Sequence, residues 1–130
     1  MVKVRPLGHV NDRIIPPLID ALEAELAGIP PIDCTIGPAT RRLGGQWLGA
    51  PVYGLDDLAA TVFEATEVLV PVTHPQPFEA DIVLARGRVP AHLAGRPVSA
   101  VWTVDSVALV ADRSSPYTVR FEDLAQVRLC

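Results

Sequence analysis

The sequence predicts one α+β domain built on a mostly antiparallel sheet. Apolar residues alternate with polar ones in some segments, as in half-buried strands, and recur every three or four residues in others, as in amphipathic helices. The resulting order is strand, helix, two strands, helix and then about three strands. No glycine-rich phosphate loop follows a strand, and no crossover pattern requires a parallel sheet. The 130 residues suffice for a single core, and no linker divides them.

The N-terminal part of the chain is predicted to form a strand and then a helix. Residues 2–7 alternate apolar and polar side chains, which is the pattern of a half-buried strand. Asn11 or Asp12 can cap the helix that follows, and the pair Pro16–Pro17 fits only in a first helical turn. Apolar side chains then recur at helical spacing until Gly28 and two prolines end the helix; they are Leu18, Ile19, Leu22 and Leu26.

The middle of the chain is predicted to contain a hairpin and a second helix. Strands are expected at 32–36 and 46–52, with the polar, glycine-containing segment 40–45 between them. The second helix carries Asp56 and Asp57 in its first turn, where the helix dipole favours carboxylates. Its predicted apolar stripe consists of Leu55, Leu58, Ala59, Val62 and Phe63.

The last part of the chain is predicted to consist of strands. A proline-rich connector covers residues 71–77, and the near-continuous apolar run 82–85 is expected to be a central strand. A loop over 87–97 precedes a long or broken strand in 98–111. Residues 117–121 alternate apolar and polar side chains, so we expect a further strand there.

Composition and charge exclude several functional classes. The net charge of −4 argues against sequence-independent nucleic-acid binding, which requires a basic face. No apolar run approaches the ~20 residues that cross a bilayer, so no membrane association is expected. No secretory signal is visible, and two cysteines fit a reducing cytosol, so we expect a cytoplasmic protein. Cys34 has no neighbouring His or Asn and is interpreted as a small buried side chain.

Two segments resemble the two motifs of one known family. Residues 77–86 read P-F-E-A-D-I-V-L-A-R, and residues 1–8 read M-V-K-V-R-P-L-G. These resemble P-F-x-x-H-x-T-L-A-R and H-x-T-L-x-F-L-G of the 2'-5' RNA ligase-like (LigT-like) family, part of the 2H phosphoesterase superfamily. Further pieces resemble the family in the same order, including W-T-V at 102–104 and S-P-Y at 115–117.

The resemblance implies two pseudo-symmetric lobes with the helices outside, each offering one motif strand to a shared groove. In active relatives one His acts as the base and the other as the acid on a phosphodiester, because imidazole titrates near neutrality. The Thr or Ser hydroxyls hold the phosphate. Relatives usually carry a strand and a helix before the first motif, so residues 1–130 resemble a single LigT-like domain without them.

In this chain all four motif positions have changed. The His positions hold Met1 and Asp81, and the Thr positions hold Lys3 and Val83. Methionine cannot transfer a proton, and a single carboxylate is repelled by a phosphate and lacks an acid partner. We therefore expect a degenerate, non-catalytic protein without a cofactor. It would bind a nucleotide or another small phosphate-bearing ligand, or serve as an assembly module.

Two alternatives remain open at this stage. The first is an active cyclic phosphodiesterase or 2'-5' RNA ligase whose start is misassigned or whose catalytic groups have moved, for instance to His9 and His92. The second is a structural homodimer, because an uncovered strand at 2–7 would expose unpaired backbone groups. The three histidines, which include His74, show no metal-ligand spacing, so no metal is expected.

The candidate groove residues are Lys3, Arg5, Asp81 and Arg86. Strand alternation places Lys3 and Arg5 on one face, and the resemblance implies that Asp81 points at them from the opposite motif strand. These cations would hold a phosphate or carboxylate, or one of them would pair with Asp81 and fill the lost site. Arg86 and Arg88 flank Gly87 after the second motif; they are candidates for contacting a phosphate at the groove mouth, although a solvated loop pair is the favoured interpretation. Trp47 and Trp102 are candidates for stacking on a base, but the alternating apolar strand around Trp102 favours a place in the core.

Overall fold

The computed structural model describes residues 2–44, 46–72 and 78–130. Met1, Gly45, His74 and most of the proline-rich connector lie outside this description. The elements, in chain order, are a 3₁₀ turn Asp12–Ile14, α1 Ile15–Leu26, β1 Ile32–Ile36, β2 Arg41–Leu43, β3 Trp47–Tyr53, α2 Asp56–Glu67, β4 Asp81–Ala85, a 3₁₀ turn Ala91–Leu93, β5 Ala100–Val104, β6 Ser106–Asp112 and β7 Phe121–Arg128. The predicted α+β class is confirmed. In the described ranges, no helix is long and apolar enough to cross a membrane.

The larger sheet is antiparallel and is organised around β3. One edge of β3 pairs first with β2 and then with β1, its opposite edge pairs with β4, and β5 extends the sheet beyond β1. The predicted hairpin partners β1 and β3 are paired, with Ile36 opposite Val52. The segment between them, predicted as a loop, contributes β2, which is too short at three residues for its alternation to be recognised.

Two helices cover one face of this sheet and create the core. Leu18, Leu22 and Leu26 recur on α1 and are almost completely buried, and each contributes about 1.5–3 kcal/mol of transfer free energy. α2 buries Leu58 and Val62 against the same sheet. The strands supply every second residue to this core, among them Cys34, Ala50, Val52 and Val104.

The opposite face of the larger sheet is here called the open face. It follows from the register, because residues paired across strands share a face. Its members are Asp33, Thr35, Arg41, Leu43, Trp47, Gly49, Pro51, Tyr53, Asp81, Val83, Val101 and Thr103. Several of its apolar side chains are exposed, most of all Val101 at 76%.

A separate two-stranded sheet of β6 and β7 completes the structure. β6 continues directly from β5 after a break at Asp105, which confirms that the run 98–111 is a broken strand. The strand predicted at 117–121 is wrong in position, because Ser115 and Thr118 bond to each other across a tight turn. β7 therefore begins only at Phe121, and its C-terminal end reaches the core through Val127.

Two further expectations require correction. Residues 2–7 form no strand; Val2 and Val4 pack on the core without pairing of the backbone. The strand β4 is not central, because within the described ranges it pairs with β3 alone. Its apolar residues therefore lie at an edge of the sheet rather than in the middle, and Leu84 is 49% exposed.

Arg5 anchors the N-terminal segment to the end of α2. Its guanidinium donates to the Thr66 hydroxyl at 2.5 Å and to the backbone carbonyl of Val70, and it lies 5.4 Å from the centre of the Phe63 ring. A cation at the C-terminal end of a helix is stabilised by the helix dipole. Side-chain bonds to α2 thus replace the strand pairing that the alternation of residues 2–7 predicts.

We predict that Arg5→Ala lowers the free energy of unfolding by about 1–3 kcal/mol, because it leaves two acceptors without their charged donor. Arg5→Lys should have a smaller effect, since an ammonium retains the charge but cannot reach both acceptors and stack on Phe63. Urea denaturation followed by circular dichroism measures this. The exposed Arg13→Ala serves as the control and should change stability by less than about 0.5 kcal/mol. An Arg5→Ala protein as stable as this control contradicts the anchoring role.

Candidate functional site

The carboxylate at the second motif position is held by an arginine. Asp81 accepts from Arg41 Nε at 2.8 Å on Oδ1 and from Nη2 at 2.7 Å on Oδ2, which is a bidentate pair. The side chain of Asp81 is 16% exposed and that of Arg41 is 44% exposed. The hydrogen bond to Asp81 raises the pKa of Arg41, and the Asp81 charge adds to this effect. Both acceptor oxygens of Asp81 are therefore engaged.

The strand register explains how these residues meet. Arg41 on β2 lies opposite Gly49 of β3, and Asp81 on β4 lies opposite Pro51 of the same strand. The ion pair thus spans β3 diagonally across the open face. A Cβ at Gly49 would lie 2.8 Å from the Ile82 carbonyl oxygen and would also collide with the side chain of Leu43. The lack of a side chain at Gly49 is therefore what allows Leu43 to fold over β3 beside the pair.

Lys3 and Arg5 do not pair with Asp81, so the predicted ion pair is wrong. Lys3 Nζ instead lies 5.5 Å from the centre of the Phe121 ring at the start of β7. Hydrogen bonds from Ser114 lower the pKa of Asp112, and the charge of Lys3 contributes to the same shift. Arg5 is occupied at the end of α2. The prediction failed because it assumed that residues 2–7 form a strand facing β4.

Arg86 and Trp47 form the second feature of the open face. The Arg86 guanidinium lies 5.3 Å from the centre of the Trp47 ring, a cation–π contact at an exposed position. A register shift between Leu48 and Gly49 inserts one extra residue in β4, which turns Arg86 toward the face that carries Trp47. Trp47 is 38% exposed. An arginine and a partly exposed indole are thus presented on the same face as the Arg41–Asp81 pair.

The second motif segment differs from the family pattern at both of its key positions, Asp81 and Val83. Val83, at the Thr position, has no hydroxyl, and Met1 lies outside the described residues. His9 and His92 are both exposed; His9 precedes the first 3₁₀ turn and His92 lies within the second. In the part of the chain that the structure describes, no group of three His, Cys, Asp or Glu side chains could hold a metal ion.

Cys34 supplies no nucleophile to the open face. Cys34 is fully buried on the helix-covered side of β1, and both cysteines are free. Burial raises the pKa of the Cys34 thiol, and the neighbouring Asp33 raises it further. A buried thiol with a raised pKa is a poor nucleophile. The interpretation of Cys34 as a packing residue is confirmed, and Cys130 is exposed at the chain end.

No model of a known protein family matches this chain, and no curated protein does either. Solved structures do match. TT0787 of Thermus thermophilus has a TM-score of 0.79 at 21% identity, and the match covers 98% of this chain and 76% of the TT0787 chain. E. coli LigT complexed with 3'-AMP has a TM-score of 0.77 at 19% identity, with 98% and 75% covered. A phosphoesterase gives 0.74 at 18% identity, with 98% and 75% covered.

These neighbours establish the fold. The chain has the LigT-like fold, which confirms the architecture that the motif resemblance implied. Its two sheets are unequal in the described residues, with five strands in one and two in the other. E. coli LigT is also seen complexed with NADP+ and with ATP.

We predict a measurable coupling between Arg41 and Asp81. A double-mutant cycle of Arg41→Met and Asp81→Asn should give a coupling free energy of about 0.5–1 kcal/mol. This value is near the upper end of the range for partly exposed ion pairs, because the contact is bidentate. The coupling should fall in high salt. Urea unfolding of the four proteins measures it.

A second ion pair of the same chain provides a matched control. Arg113 and Glu122 are 3.3 Å apart with side chains 58% and 53% exposed. The cycle of Arg113→Met and Glu122→Gln should give a coupling near zero. If the two cycles give equal values, Arg41 and Asp81 contribute no more than an ordinary surface pair.

Proposed function

We propose that this chain is a member of the 2H phosphoesterase superfamily that has lost phosphodiester chemistry and binds a nucleotide or a similar phosphate ester on its open face. The observation that supports the loss most directly is the Arg41–Asp81 pair. The side chain that stands where relatives carry a proton-transferring imidazole is a carboxylate already bound at both oxygens.

The chemical reasoning concerns proton transfer. A base must be available to take a proton, and both oxygens of Asp81 already accept hydrogen bonds from Arg41. A second group must then give a proton to the leaving oxygen, and the first-motif His position holds Met1. The two motif positions where relatives carry a Thr or Ser hold Lys3 and Val83, neither of which has a hydroxyl that could hold the phosphate. Lys3 is turned toward Phe121.

Ligand binding is supported by the Arg86–Trp47 pair. An indole can stack on a nucleobase while a neighbouring guanidinium binds a phosphate, and stacking contributes about 1–3 kcal/mol per base. Both side chains project from the open face, and the guanidinium of Arg86 contacts a neutral ring rather than a carboxylate. The nucleotides seen with E. coli LigT make a mononucleotide the natural first ligand to test. The free cysteines fit the cytoplasmic location that we propose.

A homodimer remains a prediction, but its original basis has changed. Residues 2–7 form no strand and so offer no strand edge for pairing. In the described ranges the outer edge of β5 pairs with nothing, and Val101 on that strand is 76% exposed. If copies associate through a sheet, we propose this edge as the contact.

We predict that the purified protein does not hydrolyse 2',3'-cyclic nucleotides and does not ligate RNA, because the acid–base pair is absent. The assay compares it with an active 2H phosphoesterase at equal concentration, with products separated by chromatography. Turnover that persists through further purification and disappears in Asp81→Ala would show that Asp81 is catalytic and overturn this part of the proposal.

We also predict that 3'-AMP binds to the open face and that Trp47→Leu weakens binding about tenfold, in line with the loss of one stacking contact. Arg86→Met should weaken it to a similar extent, whereas Arg13→Ala, outside this face, should not. Calorimetric titration measures the affinities, and amide chemical shifts locate the ligand. A nucleotide that binds equally well to all four proteins contradicts the assignment of this site.

A further inference from the structure

The outer surface of the two helices carries a shallow apolar groove of about 470 Å³. Pro17, Ala21 and Ala24 of α1 form one side, and Ala65, Val68 and Leu69 at the end of α2 form the other. Val68 is 87% exposed, which leaves a β-branched apolar side chain almost fully in water. This groove is on the helices, away from the open face and its proposed ligand.

The groove has the dimensions of a helix-binding site. Its α1 residues fall at positions 17, 20, 21, 24 and 25, which follow one stripe of that helix for about two turns, or roughly 11 Å. The alanines of its floor are small, so the backbone of an added helix can come close to both α1 and α2. Binding of this kind uses aliphatic side chains at spacings of three and four residues along the added helix.

Acidic side chains border the apolar floor. Asp20 and Glu25 of α1 and Glu64 of α2 line the groove. The two helices together carry seven acidic residues, three on α1 and four on α2, and no basic residue. All eleven basic residues of the chain lie elsewhere. An apolar strip between carboxylates complements a helix with an aliphatic stripe flanked by lysine or arginine, and the potential would also speed association.

We infer that the groove between α1 and α2 binds a cationic amphipathic helix of a partner protein. Anionic lipid surfaces and nucleic acids are repelled by the same carboxylates. The side chains at Pro17, Ala24 and Val68 would be covered by the aliphatic stripe, while Asp20, Glu25 and Glu64 pair with its basic flanks.

The test is a titration of the full, isotope-labelled chain with two synthetic 15-residue peptides. Both carry leucine at the same helical spacing; one has lysine and arginine flanks, and the other has glutamate in their place. The cationic peptide is expected to bind at least about tenfold more tightly than the acidic one, and more weakly as salt rises. Its amide shift changes should centre on α1 and on the end of α2.

Two variants test the site by different routes. Glu64→Lys reverses one charge at the border of the groove, and Ala24→Trp fills its exposed floor without touching the core. Each substitution should weaken binding of the cationic peptide about tenfold or more. Glu122→Gln, on β7, is the control and should bind as the parent chain does. Urea unfolding confirms that all variants are folded. Equal affinity for the two peptides, shift changes centred on another surface, unchanged binding by both groove variants, or no binding at all overturns the inference.

Discussion

The constraint on which this structure depends is that the larger sheet is covered by helices on one face only. Each strand therefore has to divide its residues, with one set in the core beneath α1 and α2 and the other on the open face. Cys34 and Val52 belong to the first set, and Tyr53 and Val101 belong to the second. The charged side chains of the strands follow this division, and the Arg41–Asp81 pair lies on the face that the helices leave uncovered.

The Arg41–Asp81 pair changes what the open face can do. A carboxylate at this position, left alone, would repel any phosphate and could act as a base. Paired with Arg41, its charge is compensated and both of its oxygens accept hydrogen bonds. Asp81 and Arg41 thus form one arrangement that links β4 to β2 across β3. Arg86, stacked on Trp47, is then the cation through which we propose that the open face meets an anion.

The sequence was most informative where a periodic pattern was long. Both helices and the strands β1, β3 and β5 to β6 were predicted because their apolar residues recur over many positions and their ends carry proline or glycine. Residues 2–7 alternate just as clearly but form no strand, since a strand also needs a partner, and Arg5 binds α2 instead. The partner of Asp81 could not be predicted, because Arg41 lies in a segment whose glycines indicated a loop. Gly49 interrupts an otherwise apolar strand. Its lack of a side chain was the available sign that another side chain, here that of Leu43, packs over β3 at this point.

The distribution of charge separates two surfaces that the fold places on different layers. All charged residues of the two helices are acidic, whereas arginines occur on the strands and in the loops between them, Arg41 and Arg86 among them. The net charge of −4 therefore combines −7 on the two helices with +3 on the rest of the chain. The helices would attract a cationic partner and repel an anionic ligand. Because the core lies between the helices and the open face, substitutions on α1 or α2 surfaces can alter the proposed peptide binding while the strands that support the proposed ligand site keep their register.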